Sequence, residues 1–460
     1  MTTTTVTHLR TRLPVAVGLR RGSGSARGRL TESDTLRSFR EPNFRIYFAG
    51  QVVSQIGTWL QTIAQTLLVL RLERSATALG LLTAVQFSPF LLFGPFAGLL
   101  ADRLDKRRLL VVTQAAMMGP ALVLGVLTIT GHVTTTWVFV LAAATGVGNA
   151  FDNPARRTIL SELVGPADIP NAVSLNSTLM TTAKILAPGL AGVLVASVGL
   201  GWCFVINAGT FLAGIIAVRR LDRRTMQPVP PVPRGRRQVR EGVRHVLEER
   251  ELRIAMLLLM VIATTAYNWP VVLPIFAERS MGGNESTYLL LSFVLSVGSL
   301  VAAVLIARFR TVTIERVVTL GVAFGLALLA FSVAPTLPVA LALALPVGGF
   351  GVAYLSSTSS LLQIKVAPEM RGRVIALHAV VFMGSTPIGG PIAGTVTERF
   401  GPRAGLLFGA LPSLVAASVA SLSLRQSNAG PATSGRPAFS ASTMRLLRPA
   451  WWAGSNQRTR

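Results

Sequence analysis

The sequence predicts an all-α fold: a polytopic membrane protein with twelve transmembrane helices in two pseudo-symmetric six-helix halves. Two observations support this prediction. Of the 460 residues, 51% are hydrophobic and only 14% are charged, and the mean hydropathy is +0.55. Apolar runs recur along the chain at the length of helix that crosses a bilayer, about 20 residues. This composition excludes a soluble enzyme of two or three domains.

The N-terminal half is predicted to cover residues 42–219. It follows residues 1–41, which are polar and rich in Arg, Gly and Ser, as is typical of a disordered segment. Short loops between the apolar runs force each helix to lie antiparallel to the next. The six predicted helices are about Phe44–Leu70, Ala76–Leu100, Arg108–Ile129, Thr135–Arg157, Asn171–Val198 and Gly201–Arg219.

Residues 220–251 break the hydrophobic pattern and are predicted to link the two halves. This linker contains the proline-rich run 228–233 and an amphipathic helix around 239–250. The C-terminal half is predicted to cover residues 252–424, and residues 425–460 are predicted to be a second disordered basic tail. The six predicted helices are about Leu252–Ala277, Thr287–Ala307, Thr313–Val333, Leu337–Gln363, Arg373–Thr397 and Pro402–Leu424.

Cations are distributed asymmetrically between the loops. They collect in the tails, the linker and alternate loops, whereas the intervening loops 131–134, 199–201 and 335–338 carry little charge. By the positive-inside rule, both termini and the linker are predicted to be cytoplasmic. The same asymmetry explains most of the net charge of +25, so no nucleic-acid partner is expected.

Side chains for catalysis or metal binding are sparse. The chain has one cysteine, Cys203, and four histidines that are scattered without the spacing of metal ligands. The sequence shows no catalytic triad and no phosphate-binding glycine loop. We therefore expect no enzymatic activity, no metal site and no cofactor.

The strongest motif is the short loop between the second and third predicted helices, Gly98-Leu99-Leu100-Ala101-Asp102-Arg103-Leu104-Asp105-Lys106-Arg107-Arg108. It resembles the signature loop of the major facilitator superfamily, Gly-x-Leu-Ala-Asp-Arg-x-Gly followed by basic residues, with Asp105 in place of the second Gly. The alternative is a loop whose cations only set topology, against which an acid at position 102 argues. The resemblance implies a gating role for Gly98, Asp102, Arg103, Arg107 and Arg108.

Other stretches resemble the bacterial exporter branch of this superfamily that includes the enterobactin and macrolide exporters. They are the runs 43–45, 149–156, 171–177 and 371–374, and the resemblance covers about residues 39–424. It implies a monomeric transporter in the bacterial cytoplasmic (inner) membrane. The run 187–192 also resembles a relaxed form of the antiporter motif, with Ala replacing two Gly.

Few ionisable side chains fall inside the predicted helices: Asp152, Lys184 and, as a titratable third, His378. Such groups are costly in lipid and face a partner or a cavity. One interpretation is a charge pair of Asp152 with Lys184 that substrate or protons disturb, with Asp152 as the leading candidate for proton coupling. The alternative is a permanent structural pair, either with Lys184 or with Arg156 one turn away. For His378 we favour an interior histidine held by hydrogen bonds over a proton carrier.

Polar and aromatic side chains on several helices are candidates for lining a substrate cavity. A polar stripe follows one face of the first helix, where it either binds substrate or packs against other helices. The two tryptophans hold near-equivalent places in the two halves, where they either stack on a substrate or simply pack. The candidates are Gln51, Gln55, Thr58, Trp59, Gln65, Asn149, Asn268 and Trp269.

Together these predictions indicate a secondary transporter that exports a small amphipathic molecule, such as a drug, siderophore or secondary metabolite. The expected mechanism is alternating access with proton antiport, and the expected partners are the substrate, protons and the lipid bilayer. Two alternatives remain: an uptake permease of the same fold, and a membrane scaffold or sensor that does not transport. Counterflow of labelled substrate in vesicles separates the three.

Overall fold

The structure is a computed structural model that describes residues 36–226, 238–306 and 312–428. Most of both predicted tails, the proline-rich run 228–233 and the loop 307–311 lie outside the described residues. Within those ranges every regular element is a helix. The predicted all-α fold is confirmed.

Six long helices form the N-terminal half, after a short 3-10 turn at Arg37–Arg40. Local sequence sets where several of them begin. Side chains of Ser75 and Thr134 accept hydrogen bonds from the first turns of the second and fourth helices, and Asp105 does so at the third. The helices are α1 (Pro42–Glu73), α2 (Ala76–Arg103), α3 (Lys106–Ile129), α4 (Thr135–Leu163), α5 (Ile169–Val198) and α6 (Leu200–Arg219).

The C-terminal half follows the amphipathic linker helix α7 (Gln238–Glu248). Its first pass consists of two helices and one π-helical turn, and five long helices come after it. The elements are α8 (Arg250–Ala266), α9 (Trp269–Ile275), the π turn Phe276–Ser280, α10 (Glu285–Ile306), α11 (Ile314–Ser332), α12 (Leu337–Lys365), α13 (Pro368–Phe400) and α14 (Pro402–Asn428).

The seventh pass is not the continuous helix that the sequence predicts. Helix α8 ends at Ala266, and Tyr267 and Asn268 are not helical. Pro270 has no N–H to donate to the carbonyl of Ala266 four residues earlier, so the ladder of hydrogen bonds cannot continue. The break places Asn268 and Trp269 at a helix junction inside the membrane-spanning part of the chain.

Ten helical segments of the described chain are long and apolar enough to cross a membrane. Helices α1 and α4 are not among these ten because they are less apolar, although they are 32 and 29 residues long. The polar stripe of α1 and the charged lower half of α4 lower their mean hydropathy, and both helices pack against others in the same half. The prediction of twelve passes is thus confirmed by hydropathy for ten, and for α1 and α4 it is supported by length and packing.

The bundle has two ends. We call the end where α1 begins and α7 lies the linker end, and the opposite end, with the α1–α2 and α13–α14 turns, the far end. The halves meet chiefly where α2 packs on α13 and α5 packs on α10. A Cβ on Gly80 of α2 would stand 2.5 Å from the carbonyl oxygen of Gly390, and one on Gly394 would stand 2.5 Å from that of Ala76. Only glycine permits this approach of backbones, so the halves are closely packed toward the far end.

Candidate functional site

A buried ion pair lies in the linker-end half of α4. Arg156 donates to the carboxylate of Asp152 one turn earlier, and the Thr113 hydroxyl of α3 donates to the same carboxylate at 2.8 Å. The two charged residues, Asp152 and Arg156, are 2% and 4% exposed. Arg156 also donates to the amide oxygen of Gln51 in α1, and its own carbonyl accepts from the Tyr47 hydroxyl at 3.4 Å. Three helices are joined here around one compensated pair of charges.

This network corrects the predicted coupling of Asp152 with Lys184. Of the two ion pairs that the sequence left open, the structure forms Asp152–Arg156, because residues four apart share a helix face and need no tertiary movement to meet. Gln51 belongs to the same network and is 2% exposed, so it does not line an open cavity.

Lys184 is placed differently. Its ammonium nitrogen lies 5.3 Å from the centroid of the Trp59 ring in α1, an arrangement that attracts a cation to the ring face. The side chain of Lys184 is exposed, and Trp59 is half-buried. Within the described part of the chain, no carboxylate forms a salt bridge with Lys184.

The same face of α5 exposes further polar side chains. Ser177 and Thr181 are exposed, and their hydroxyls donate to carbonyls of their own helix at 2.9 and 3.0 Å. A face that carries a lysine and hydroxyls in the middle of a membrane-spanning helix is suited to a water-filled cavity and not to lipid. We call the face of α5 from Ser177 to Lys184, together with Trp59, the polar cavity wall.

The other members of the α1 stripe are mostly buried. Gln55 is 8% exposed and Gln65 is 1% exposed, and neither amide atom of Gln65 has a hydrogen-bond partner among the described residues. The Thr58 hydroxyl donates to the carbonyl of Ser54 in its own helix at 2.8 Å. Sequence reasoning omitted Gln61, which accepts a hydrogen bond from the amide of Asn207 in α6. Part of the stripe is therefore interhelical packing, as the second of the two interpretations held.

The remaining cavity candidates lie in separate places. Asn149 is half-buried on α4, and His378 is half-buried on α13, where its Nε2 atom has no partner in the described part of the chain. At the junction of α8 and α9 the Asn268 amide donates to the carbonyl of Thr264 at 2.8 Å, while its oxygen accepts from none of the described groups. Asn268 and Trp269 line a small cavity between α8, α9, α11 and α14.

The described contacts of the signature loop are with the N-terminal half and the start of the linker. Asp105 accepts hydrogen bonds from the backbone N–H groups of Arg107 and Arg108 at 2.9 and 3.1 Å, which makes it the N-cap of α3. The Arg107 guanidinium donates to the carbonyls of Val218 and Arg219 at the C-terminus of α6. The acid that departs from the family pattern thus has a local structural function.

Of the other gating candidates, Gly98 is half-buried near the end of α2, and Arg103 and Arg108 are exposed. The side chain of Asp102 lies outside the described part of the structure. Lys106 pairs with Glu162 of α4 at 2.7 Å. Each of these described contacts stays within the N-terminal half.

Among the described residues, one salt bridge and two hydrogen bonds that involve charged side chains cross between the halves at the far end. Arg71 at the end of α1 forms a two-pronged salt bridge with Glu285 at the start of α10, in which Nη2 lies 2.6 Å from Oε2. Glu398 of α13 accepts from Arg279 at 3.0 Å and from the backbone N–H of Ala76 at 2.6 Å. Arg279 also donates to the carbonyl of Arg74 at 2.7 Å. We call Arg71, Glu285, Arg279 and Glu398 the far-end salt-bridge cluster.

Sequence reasoning missed this cluster because it compared charge only in the far-end loops 131–134, 199–201 and 335–338, none of which contributes a residue to it. The signal that was available is the presence of two acids and two cations at helix ends where the positive-inside rule expects few charges. At the linker end, the described salt bridges stay within one half or join the linker helix to it: Lys106–Glu162, Arg223–Asp105, Arg37–Asp168, Lys365–Glu251 and Arg373–Glu241. Among described residues, the halves are bridged by charge at the far end alone.

Residues 33–442 match a family described as transmembrane secretion effectors, which is most of the chain. The chain belongs to this family of the major facilitator superfamily. The resemblance inferred from the signature loop is thereby confirmed.

Several named transporters are similar in sequence to this chain. The multidrug efflux pump Tap of Mycolicibacterium fortuitum is 27% identical over 83% of this chain and 95% of its own length. Macrolide efflux protein A of Streptococcus pyogenes is 22% identical over 78% of this chain and 90% of its own. An uncharacterized MFS-type transporter, YfiS of Bacillus subtilis, is 32% identical over 38% of this chain, and the match covers only 41% of its own length.

The fold of this family is also seen in solved structures. A bacterial homologue of the human lysosomal transporter Spinster, in an inward-facing and unoccupied conformation, superposes with a TM-score of 0.67. It is 16% identical and covers 85% of this chain and 98% of that one. At this identity the likeness establishes the fold alone.

Proposed function

We propose that this protein exports a small amphipathic molecule by alternating access. The observation that carries the proposal is the unequal contact between the halves. Charged side chains bridge the halves at the far end, and no described salt bridge joins them at the linker end. The polar cavity wall lies on α1 and α5 at a depth between these two ends. A bundle closed at one end with a wettable interior is what a carrier needs in one of its two states.

The direction and orientation are parts of the same proposal. The cation-rich loops place the linker end in the cytoplasm, so this state would face inward. Relatives that are named efflux pumps favour export over uptake. Cysteine labelling in a Cys203→Ala background tests the orientation: a cysteine introduced in 131–134 should react from outside, and one in 228–233 only from inside. The opposite pattern would reverse the assignment.

Transport itself is tested first by a toxicity screen. A host that expresses the protein is compared with a host that expresses an inactive variant, against a panel of antibiotics and siderophores. Substrates found in this way are then used in counterflow with inside-out vesicles, where export appears as accumulation. Absence of counterflow for each protected compound would favour the scaffold or sensor, and counterflow without protection would favour an uptake permease.

Proton coupling is proposed to involve Asp152. Among the described residues it is the only carboxylate that lies well away from a helix end, and it contacts Arg156, which links α4 to α1. Protonation would loosen that link, which is the kind of local charge change that shifts a two-state bundle. The test is proton-driven efflux by Asp152→Asn against substrate counterflow by the same variant. Loss of both would assign Asp152 to folding or binding, whereas loss of proton-driven efflux alone supports coupling.

A further inference from the structure

We propose that the polar cavity wall binds an anionic group on the transported molecule, with Lys184 as the binding cation and Trp59 as its support. The substrate class is then an aromatic or apolar organic acid, and not a cationic amphipath. This inference rests on the proposed transport function for its biological meaning. The binding chemistry itself follows from the charges inside the bundle.

Among the described residues, the cations well inside the helices outnumber the anions. Asp152 is the single carboxylate described there, and each of its oxygens accepts a hydrogen bond, one from the Thr113 hydroxyl and one from Arg156. Lys184, near the middle of α5, is left without a carboxylate among the described residues. A charge in this position is expensive unless a partner or water compensates it, so an anionic ligand gains affinity by supplying the missing partner.

The immediate surroundings of Lys184 leave it free to bind. The Trp59 ring attracts the ammonium through its π face, and this contact uses none of the three N–H groups as a conventional hydrogen bond. Lys184 is exposed, and its ammonium donates no hydrogen bond to another described residue. Fixing the ammonium on a ring also reduces the rotamer entropy that a long lysine side chain loses on binding.

The neighbouring groups favour an acid over other ligands. The Ser177 and Thr181 hydroxyls are neutral and donate to their own helix, so Lys184 is the charged group of the polar cavity wall. The half-buried indole of Trp59 provides apolar surface beside the cation. A carboxylate, sulfonate or phosphate on a flat apolar body satisfies both features, whereas an amine would be repelled by Lys184.

The test is binding of three matched probes to the purified, detergent-solubilised full-length protein, measured by calorimetry. The probes share one naphthyl ring: 1-naphthylacetate is anionic, 1-naphthylacetamide is its neutral isostere, and 2-(1-naphthyl)ethylamine is cationic. The wild type should bind the acetate at least tenfold more tightly than the amide, and the amine most weakly. If the amine binds best, if acetate and amide bind equally, or if none of the three binds, the proposal is wrong.

Variants separate the site from a general charge effect. Lys184→Gln should abolish the preference for the acetate over the amide, and Lys184→Arg should keep it, which shows that the fold survives substitution. Trp59→Leu should weaken all three probes. Arg157→Gln removes an exposed cation from α4 and should leave the preference unchanged; if it has the same effect as Lys184→Gln, the preference is not due to this site.

The binding experiment and the transport experiment can fail independently of each other. Probe binding requires no transport, so an acetate preference in a protein that gives no counterflow would support this site and refute export. Counterflow of cationic but not anionic substrates would support export and refute this site.

Discussion

The far-end salt-bridge cluster makes the conformational proposal measurable. The perturbation is the double substitution Glu285→Gln and Glu398→Gln, which removes both negative charges and keeps the size of each side chain. The new amide at position 398 would still offer an acceptor to the N–H of Ala76, so the loss is confined to the charged part of the contacts. We expect the far end to open more often, because fewer attractive contacts then hold the halves together.

The magnitude follows from exposure. The side chains of the Arg71–Glu285 pair are 49% and 26% exposed, and those of the Arg279–Glu398 pair are 38% and 33% exposed. Salt bridges this accessible to water are each worth about 0.2–1 kcal/mol. The Arg71–Glu285 pair joins the halves directly, whereas Arg279 and Glu398 both belong to the C-terminal half and reach the other half through the Arg74 carbonyl and the Ala76 N–H. With a loss of similar size for the charged part of the Glu398–Ala76 hydrogen bond, the double substitution costs about 0.4–2 kcal/mol, which changes the ratio of closed to open states by about 2- to 30-fold.

The assay is the rate at which a maleimide labels Thr83→Cys in a Cys203→Ala background. Thr83 is 5% exposed and lies against Gly390 where α2 packs on α13, so it becomes accessible when the halves separate. When reclosure is fast, the labelling rate is proportional to the open fraction even if that fraction is small. The double variant should be labelled about 2- to 30-fold faster, and high salt should accelerate the wild type in the same direction because it screens exposed charges.

The matched control is Glu248→Gln, which breaks the exposed Arg244–Glu248 pair within the linker helix and touches no contact between the halves. Its labelling rate should equal that of the wild type. The reasoning is refuted if the far-end double variant is labelled at the wild-type rate, or if the control accelerates labelling equally.

Three further predictions concern stability and gating. Arg156→Met and Asp152→Asn should each lower the free energy of unfolding by about 3–5 kcal/mol, because each change leaves a buried polar group unpaired. The double variant should lose less than the sum of the two, and additive losses in thermal denaturation would disprove the pair. Gly348→Ala should destabilise the bundle by about 1–3 kcal/mol, because the new Cβ would lie 1.9 Å from a backbone oxygen of α10. The control Gly119→Ala should not, because a Cβ there would have no neighbouring atom within 4 Å, and equal melting temperatures for the two variants would contradict this prediction. Asp102→Asn should impair transport at normal membrane yield, and undiminished counterflow would remove its gating role.

The sequence by itself determined the class of fold and most helix limits. A bilayer imposes one length and one polarity on any helix that crosses it, so apolar runs and cation-rich loops are sufficient signals. The cap of α3 by Asp105 and the break before Trp269 also depend on neighbouring residues and on Pro270, although the sequence analysis predicted neither. The Asp152–Arg156 pair belongs to the same group, because its members are one turn apart.

Only the tertiary structure decided which distant side chains meet. Lys184 lies beside Trp59 although the two are far apart in the sequence, and Glu398 contacts residues at the start of α2. Such contacts depend on how helices are ordered and rotated around the bundle, and the hydropathy of a helix carries little of that information because lipid and protein interiors are similarly apolar. The division of the α1 stripe between buried packing and open cavity was settled in the same way, by the helices that happen to cover each face.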